Sequence, residues 1–92
     1  MKYTLKPDIV LATVLDESML VTVSNEFNRI DDMRSLNETG AYFWRLMEKG
    51  MEVEDIIAAA MRDYEIPEDI ARPAFIEFLK SLRDAGYITL QE

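Results

Sequence analysis

The sequence predicts an α+β fold in which an N-terminal three-stranded antiparallel sheet packs on three helices. Two runs rich in aliphatic and β-branched residues lie within the first 25 residues, on either side of a polar break. Two long segments of the second half repeat apolar residues at helical spacing. Between the two halves, the segment SLNETGAYFW (35–44) reads as a short strand that leads without a loop into a capped helix. Strands followed by helices indicate a small domain with segregated sheet and helices.

The predicted strands come first in the chain. Short apolar, β-branched runs bounded by polar residues are typical of strands. The first two runs flank Asp16–Ser18, a polar break of hairpin length. A polar connection, Asn25–Asp32, carries the apolar residues Phe27 and Ile30 and leads to the third run. The predicted strands are Ile9–Leu15, Met19–Val23 and Met33–Leu36.

The first helix is predicted over Glu38–Glu48. Asn37 is a good N-cap because its side-chain oxygen can accept a hydrogen bond from a free N–H of the first turn. Glu38 places a negative charge at the positive end of the helix dipole. Gly40 lacks a side chain where another element has to come close, and Gly50 stands where a glycine commonly ends a helix.

The second helix has the clearest periodicity in the chain. Ile66–Pro67 ends it, because the residue before a proline avoids helical backbone angles. A third helix follows, with Gly86 as its stop and Pro73 either near its start or at a kink. The apolar faces are Val53, Ile56, Ile57, Ala60, Met61 and Tyr64 in the second helix and Ala71, Phe75, Phe78, Leu79 and Leu82 in the third.

The final segment, Tyr87–Leu90, forms either a short terminal strand or a stretch that packs back on the core. The order β-β-β-α-α-α is a winged-helix-like α+β arrangement with the sheet placed N-terminally. Aromatic residues at helical spacing, such as Phe43, Trp44 and Phe75, are expected in the core.

Composition excludes several classes of function. The 92 residues suffice for a single domain, 1–92, and contain no cysteine and no histidine. Thiolate sites and the commonest general base are therefore lacking, so we expect no catalysis, no metal and no cofactor. A net charge of −8 disfavours nucleic acid and anionic membranes as partners. No apolar run is long enough to span a membrane and no signal-peptide core is present, so we expect a cytoplasmic protein.

The strand–helix junction carries a resemblance to a known family. The block Leu36–Ala41 (LNETGA), followed by Trp44 and Leu46, resembles the strand-to-helix signature of the PqqD family, coenzyme PQQ synthesis protein D and its relatives. The closing helix and its end, Ala85–Ile88 (AGYI), are similar to the same family. The polar connection before the third strand differs from the short turn of the PQQ-pathway proteins, which favours a relative that serves another peptide.

This resemblance implies a peptide-binding domain. Members of the family resemble RiPP recognition elements, which capture the leader of a ribosomally made precursor peptide and present it to a modifying enzyme, often a radical SAM protein. The resemblance implies that the leader adds as a further strand beside the third strand, in a cleft also walled by the third helix. The implied peptide-binding residues are Met33, Arg34, Ser35 and Leu36 of the strand and Ile70, Ala74, Phe78 and Ser81 of the helix.

Two alternative functions and two uses of Arg34 stay open at this point. A winged-helix DNA-binding module follows from fold analogy alone, and the acidic charge opposes it. A protein–protein assembly domain, monomeric or weakly homodimeric through the same edge strand, is the other alternative. Arg34 either meets an acidic leader or discourages edge-to-edge aggregation. The paired carboxylates at Asp31–Asp32 and Glu68–Asp69 are expected to be solvated loop residues and not metal ligands.

Overall fold

Strands precede and follow a block of three helices. The structure, a computed structural model, describes residues 1–24 and 29–92, with the backbone alone at 24 and 29–32. The elements are β1 (Lys2–Leu5), β2 (Ile9–Val14), β3 (Glu17–Ser24), β4 (Arg29–Leu36), α1 (Glu38–Glu48), α2 (Val53–Tyr64), α3 (Glu68–Ala85) and β5 (Ile88–Gln91). The α+β class and the N-terminal three-stranded antiparallel sheet, ordered β2-β3-β4, are confirmed.

A second, two-stranded sheet joins the two ends of the chain. β1 pairs antiparallel with β5, Lys2 lying opposite Gln91 and Leu5 opposite Ile88. The terminal segment is therefore a strand, which decides between the two alternatives left open for it. β1 was not predicted, because its four residues carry no turn signal and its partner lies some 85 residues away, roughly the whole chain.

The hairpin between β2 and β3 is tighter than predicted. Its loop has two residues, Leu15 and Asp16, with φ of 50° and 66°. Positive φ at both positions belongs to a type I′ turn, whose twist matches that of the flanking strands. The prediction that the strand includes Leu15 is wrong, and the three-residue break Asp16–Ser18 is wrong too, because β3 already begins at Glu17.

β4 begins four residues before the predicted start at Met33. The prediction of a connection over Asn25–Asp32 is wrong from Arg29 onward, where the chain pairs with β3. Asp31–Asp32 accordingly lies in a strand and not in a loop. Phe27 lies outside the described residues, and Ile30 is described as backbone only, opposite Val23.

The predicted start and end of α1 are confirmed. Asn37 is the N-cap, and its Oδ1 accepts a hydrogen bond from the Gly40 N–H at 2.7 Å. Gly50 follows the C-cap with φ of 78°, a conformation that glycine adopts at little cost. The helix buries Phe43 and Trp44 as predicted.

α2 and α3 supply most of the core. Phe75, Leu79 and Leu82 are fully buried, and Gly86 caps α3 with φ of 87° as predicted. Pro73 lies inside α3, so the alternative of a helix that begins near it is wrong. Glu68 and Asp69 form the first turn of α3, which corrects their assignment to a loop. Within the described residues, none of the helices has the length and apolar character that crossing a bilayer requires.

Changing Asn37 to Ala should lower the free energy of unfolding by about 1 kcal/mol, because the Gly40 N–H then loses its acceptor. Urea unfolding followed by circular dichroism measures this. Asn37→Asp should keep most of the stability, and Thr39→Ala, at an exposed first-turn position, should shift it by less than about 0.5 kcal/mol. Equal losses for Asn37→Ala and Thr39→Ala would contradict the assignment of the cap.

Tyr42 links α1 to α2 through a hydrogen bond. Its hydroxyl donates to Asp63 Oδ2 at 2.6 Å, and Arg62 Nε donates to the other carboxylate oxygen at 3.1 Å. These two bonds, the Tyr42 bond above all, lower the pKa of Asp63 below its usual range. Burial and the same bond raise the pKa of Tyr42.

Replacing Tyr42 with Phe should raise the pKa of Asp63 toward its ordinary value, because the largest cause of the lowering is removed. Carboxyl ¹³C NMR titration measures it. Because the pKa of Asp63 is lower in the folded state, its ionised form stabilises the fold at pH values above the unfolded-state pKa of about 3.9. This stabilisation disappears as the pH falls through the folded-state pKa. The stability difference between wild type and variant should therefore shrink on acidification. Arg62→Gln, the control, should raise the pKa less.

Candidate functional site: the edge of β4 and its cleft with α3

β4 is one of the two outer strands of the main sheet, the other being β2. It pairs with β3 on one side, and no strand in the described part of the chain pairs with its other side. An outer strand leaves every second residue with an unpaired N–H and C=O, which an extended peptide can satisfy. Whether the odd- or the even-numbered residues of β4 form hydrogen bonds with β3 therefore decides which residues present free groups at the edge.

The hairpin fixes that parity. In a two-residue hairpin the residues that flank the turn exchange both hydrogen bonds, so the backbone of Glu17 faces β2. Successive residues of a strand alternate, and the Val23 N–H, also at an odd-numbered position, donates to the Asp8 carbonyl on the β2 side at 2.9 Å. The even-numbered residues of β3, Ser18 and Leu20, therefore face β4.

The outward-facing groups of β4 follow from its register with β3. Leu20 lies opposite Arg34, and Ser18 lies opposite Leu36. The N–H and C=O groups of Arg34 and Leu36 therefore form hydrogen bonds with β3. Met33 and Ser35 must then point theirs away from the sheet. The register shift of β4 lies between Thr22 and Val23, beyond this stretch, and leaves the parity intact.

A hydrogen bond connects the edge strand to α3. Arg34 Nη2 donates to Ser81 Oγ at 2.9 Å, and both side chains are half-buried. The Arg34 side chain thus lies on the helix-facing side of the sheet, the side of the fully buried Leu20, and does not extend outward from the edge. The predicted cleft between β4 and α3 is therefore bridged by a guanidinium group and a hydroxyl group.

The cleft ends where Phe78 packs on the strand–helix junction. A Cβ placed on Gly40 would lie 3.2 Å from Phe78 Cε1 and 3.5 Å from Leu36 Cδ2. A side chain at this position would force the neighbouring side chains to move by a few tenths of an ångström, so glycine favours the close approach that the sequence predicted. The Phe78 ring also lies 5.7 Å from the ring of Phe43, and Phe78 is half-buried, which suits a cleft floor.

The structure brings together half of the predicted helix residues with the strand. Ser81 contacts Arg34 and Phe78 lies beside Leu36, so α3 and β4 run in opposite directions. Ala74 and Ile70 precede Phe78 by one and two helical turns, about 6 and 12 Å along the axis. They are exposed and lie past the end of β4, along a continuation of the cleft.

The side chains of Met33 and Ser35 lie on the opposite face of the sheet from α3. They alternate with Arg34 and are in register with Val21 and Met19. The sequence indicated that both residues were contacts but did not assign their face; the alternation of Val21 with Leu20 was the signal that could have done so. Within the described residues, no group of three or more acidic, histidine or cysteine side chains could hold a metal ion.

The sequence model of coenzyme PQQ synthesis protein D (PqqD) matches residues 17–88, from the start of β3 to the start of β5. The chain belongs to the PqqD family. The match includes the edge strand, the junction and all of α3, and so covers every predicted site residue. No protein of curated function matches the sequence.

Two solved structures share the fold of this PqqD family member. One is TbiB1 in complex with the TbiA(beta) leader peptide, with a TM-score of 0.77, 20% identity and coverage of 97% of this chain and 98% of that one. The other is lasso peptide synthetase B1 complexed with the leader peptide, with a TM-score of 0.76, 19% identity and coverage of 98% and 100%. At these identities the likeness establishes the fold.

Arg34 and Ser81 should be energetically coupled by about 1 kcal/mol, because each single change leaves a half-buried polar group without its partner. Urea unfolding of Arg34→Ala, Ser81→Ala and the double variant measures the coupling. The matched cycle with Lys80→Ala, the exposed neighbour on α3, should give a coupling near zero. Equal couplings in the two cycles would show that the hydrogen bond does not hold the cleft together.

Proposed function

We propose that this PqqD family member is a non-catalytic peptide chaperone. It binds the leader of a ribosomally made precursor peptide as an added strand on β4 and presents the precursor to a modifying enzyme, of the radical SAM type. The observation that carries the proposal is the free edge of Met33 and Ser35 beside a cleft that contains Arg34, Phe78 and Ser81.

The comparisons support a peptide ligand. Both structural neighbours were captured with a leader peptide, and the family match spans the edge strand and α3. The absence of cysteine and histidine from the sequence supports a binding role rather than a catalytic one. The encounter belongs in the cytoplasm, where a ribosomally made precursor first becomes available, and the whole chain, residues 1–92, acts as the binding unit.

The two sides of the site have different tasks. Main-chain pairing with Met33 and Ser35 supplies affinity for any extended peptide. The cleft supplies selectivity, because the peptide residue opposite Arg34 turns its side chain toward α3. Leu36 and Phe78 form an apolar floor, and Ala74 and Ile70 extend the helix wall for a peptide that continues past the end of β4.

Arg34 favours a peptide with an acceptor in the cleft. Its guanidinium already donates to Ser81 Oγ, so its remaining N–H groups can reach a carboxylate or carbonyl of the bound peptide. This position, on the helix side of the sheet, favours the peptide-contact role over that of a charge guarding the edge. A peptide ordered on one strand and one helix should bind with micromolar affinity, about −8 kcal/mol.

Changing Ser35 to Pro should weaken leader binding by about tenfold or more, because one outward N–H is removed. The fold should lose less than about 1 kcal/mol, since an edge strand tolerates proline where the N–H faces outward. Isothermal titration with leader peptides from short reading frames beside the gene, together with urea unfolding, tests both statements.

Arg34→Pro is the matched control, because its N–H pairs with Leu20 and its loss should destabilise the fold by about 2 kcal/mol or more. Amide NMR of the wild type with the same peptides should shift β4 and α3. Shifts confined to other elements would overturn the proposal, as would salt-sensitive DNA binding in a gel-shift assay. Light scattering that shows a dimer dissociated by Ser35→Pro would assign the edge to self-pairing instead.

A further inference from the structure

The face of the main sheet turned away from the helices carries a row of apolar side chains. Val10, Val21 and Met33 lie in register across β2, β3 and β4. They alternate with residues such as Leu20 that enter the core, so all three point to the opposite face. The row runs across the sheet to its free edge and ends at Met33.

Exposure along the row depends on the number of neighbouring strands. Val21, with a strand on either side, is 7% exposed, whereas Val10 and Met33, each at an end, are 52% and 54% exposed. The adjacent row ends differently, because Ser35, small and polar, is its member on β4. Where the structure describes the side chains of β4, from Met33 onward, the outward-facing residues are Met33 and Ser35, and of these only Met33 offers an apolar side chain to a fourth strand.

We infer that the captured peptide carries an aliphatic side chain opposite Met33, on the face away from α3, as a fourth member of this row. The inference rests on the proposed strand addition. The N–H and C=O of Met33 point outward, so the peptide residue opposite it forms a hydrogen-bonded pair whose side chain falls on the same face. A fourth strand would give Met33 the second neighbour that Val21 has.

The bound segment is therefore recognised on both faces. The residue opposite Arg34 enters the cleft, and the next residue, opposite Met33, packs on the outer row. The residue opposite Ser35 meets no large apolar side chain of β4, so it tolerates polar residues. Leaders are therefore selected by the side chains at two adjacent positions of the leader, one in contact with the cleft and the next in contact with the outer face of the sheet.

The test begins with a phage-displayed library of random dodecapeptides selected on the wild-type domain. The enriched peptide is synthesised, each position is replaced in turn by Glu, and affinities for wild type and Met33→Lys are measured by fluorescence polarisation. At one position of the peptide, Glu should weaken binding to the wild-type domain by about fivefold, which matches the energy of a cross-strand side-chain pair. The same Glu peptide should bind Met33→Lys no more weakly than the parent peptide does.

Val10→Lys is the matched control, because Val10 lies in the same row with nearly the same exposure but on β2, the outer strand at the opposite side of the sheet from β4. It adds the same charge to the same face and should leave the Glu penalty at its wild-type size. If no position responds to Met33→Lys, or Val10→Lys relieves the penalty equally, the inference is overturned.

Ser35→Pro separates the inference from the function on which it rests. If Ser35→Pro loses peptide binding but Met33→Lys relieves the Glu penalty at no peptide position, strand addition is supported and the outer-face contact is rejected. Enriched peptides that bind Ser35→Pro as well as wild type reject strand addition itself and take the inference with it.

Discussion

The close contact of Phe78 with Gly40 is the constraint on which the site depends. The glycine lies in the first turn of α1, shortly after the edge strand, and its missing Cβ lets the ring approach more closely than a side chain would comfortably allow. Because Phe78 belongs to α3, the contact positions α3 next to the end of β4, at the first turn of α1, and not next to a later turn of α1. The cap at Asn37 orders the same turn, so strand, junction and helix wall are held in one fixed arrangement.

The free edge of β4, the proposed binding site, owes its hydrogen-bonding pattern to a distant turn. The two-residue loop at Leu15 and Asp16 sets which residues of β3 face β2, and β3 in turn sets which residues of β4 face outward. Holding a leucine in a left-handed conformation costs about 1–2 kcal/mol. A longer loop could avoid that cost but would no longer fix this alternation, and a shift of one residue would present Arg34 and Leu36 at the edge instead.

Local signals in the sequence predicted the elements that local physics determines. The cap at Asn37, the stops at Gly50 and Gly86 and the apolar faces of the helices depend on near neighbours in the chain, and the structure confirms them except at Tyr64, which is exposed. β1 is a strand because β5, at the other end of the chain, pairs with it, and a pattern of four residues does not identify so distant a partner. The first residues of β4 pair with the nearby end of β3, but their sequence is mostly charged and gave no strand signal. The face taken by Met33 likewise required the register of the whole sheet.

Over Met33–Leu36, the part of β4 whose side chains the structure describes, the outward-facing residues carry no charge, and an open edge of this kind is a hazard that most proteins avoid. Met33 and Ser35 are uncharged, and Arg34, which could have guarded the edge, turns instead to Ser81. Two copies of the chain each carry a net charge of −8, so their repulsion opposes pairing of one edge with another, while a short peptide escapes most of it. The acidic composition thus leaves the edge available to a small extended ligand while it disfavours the self-association that an unguarded strand would otherwise permit.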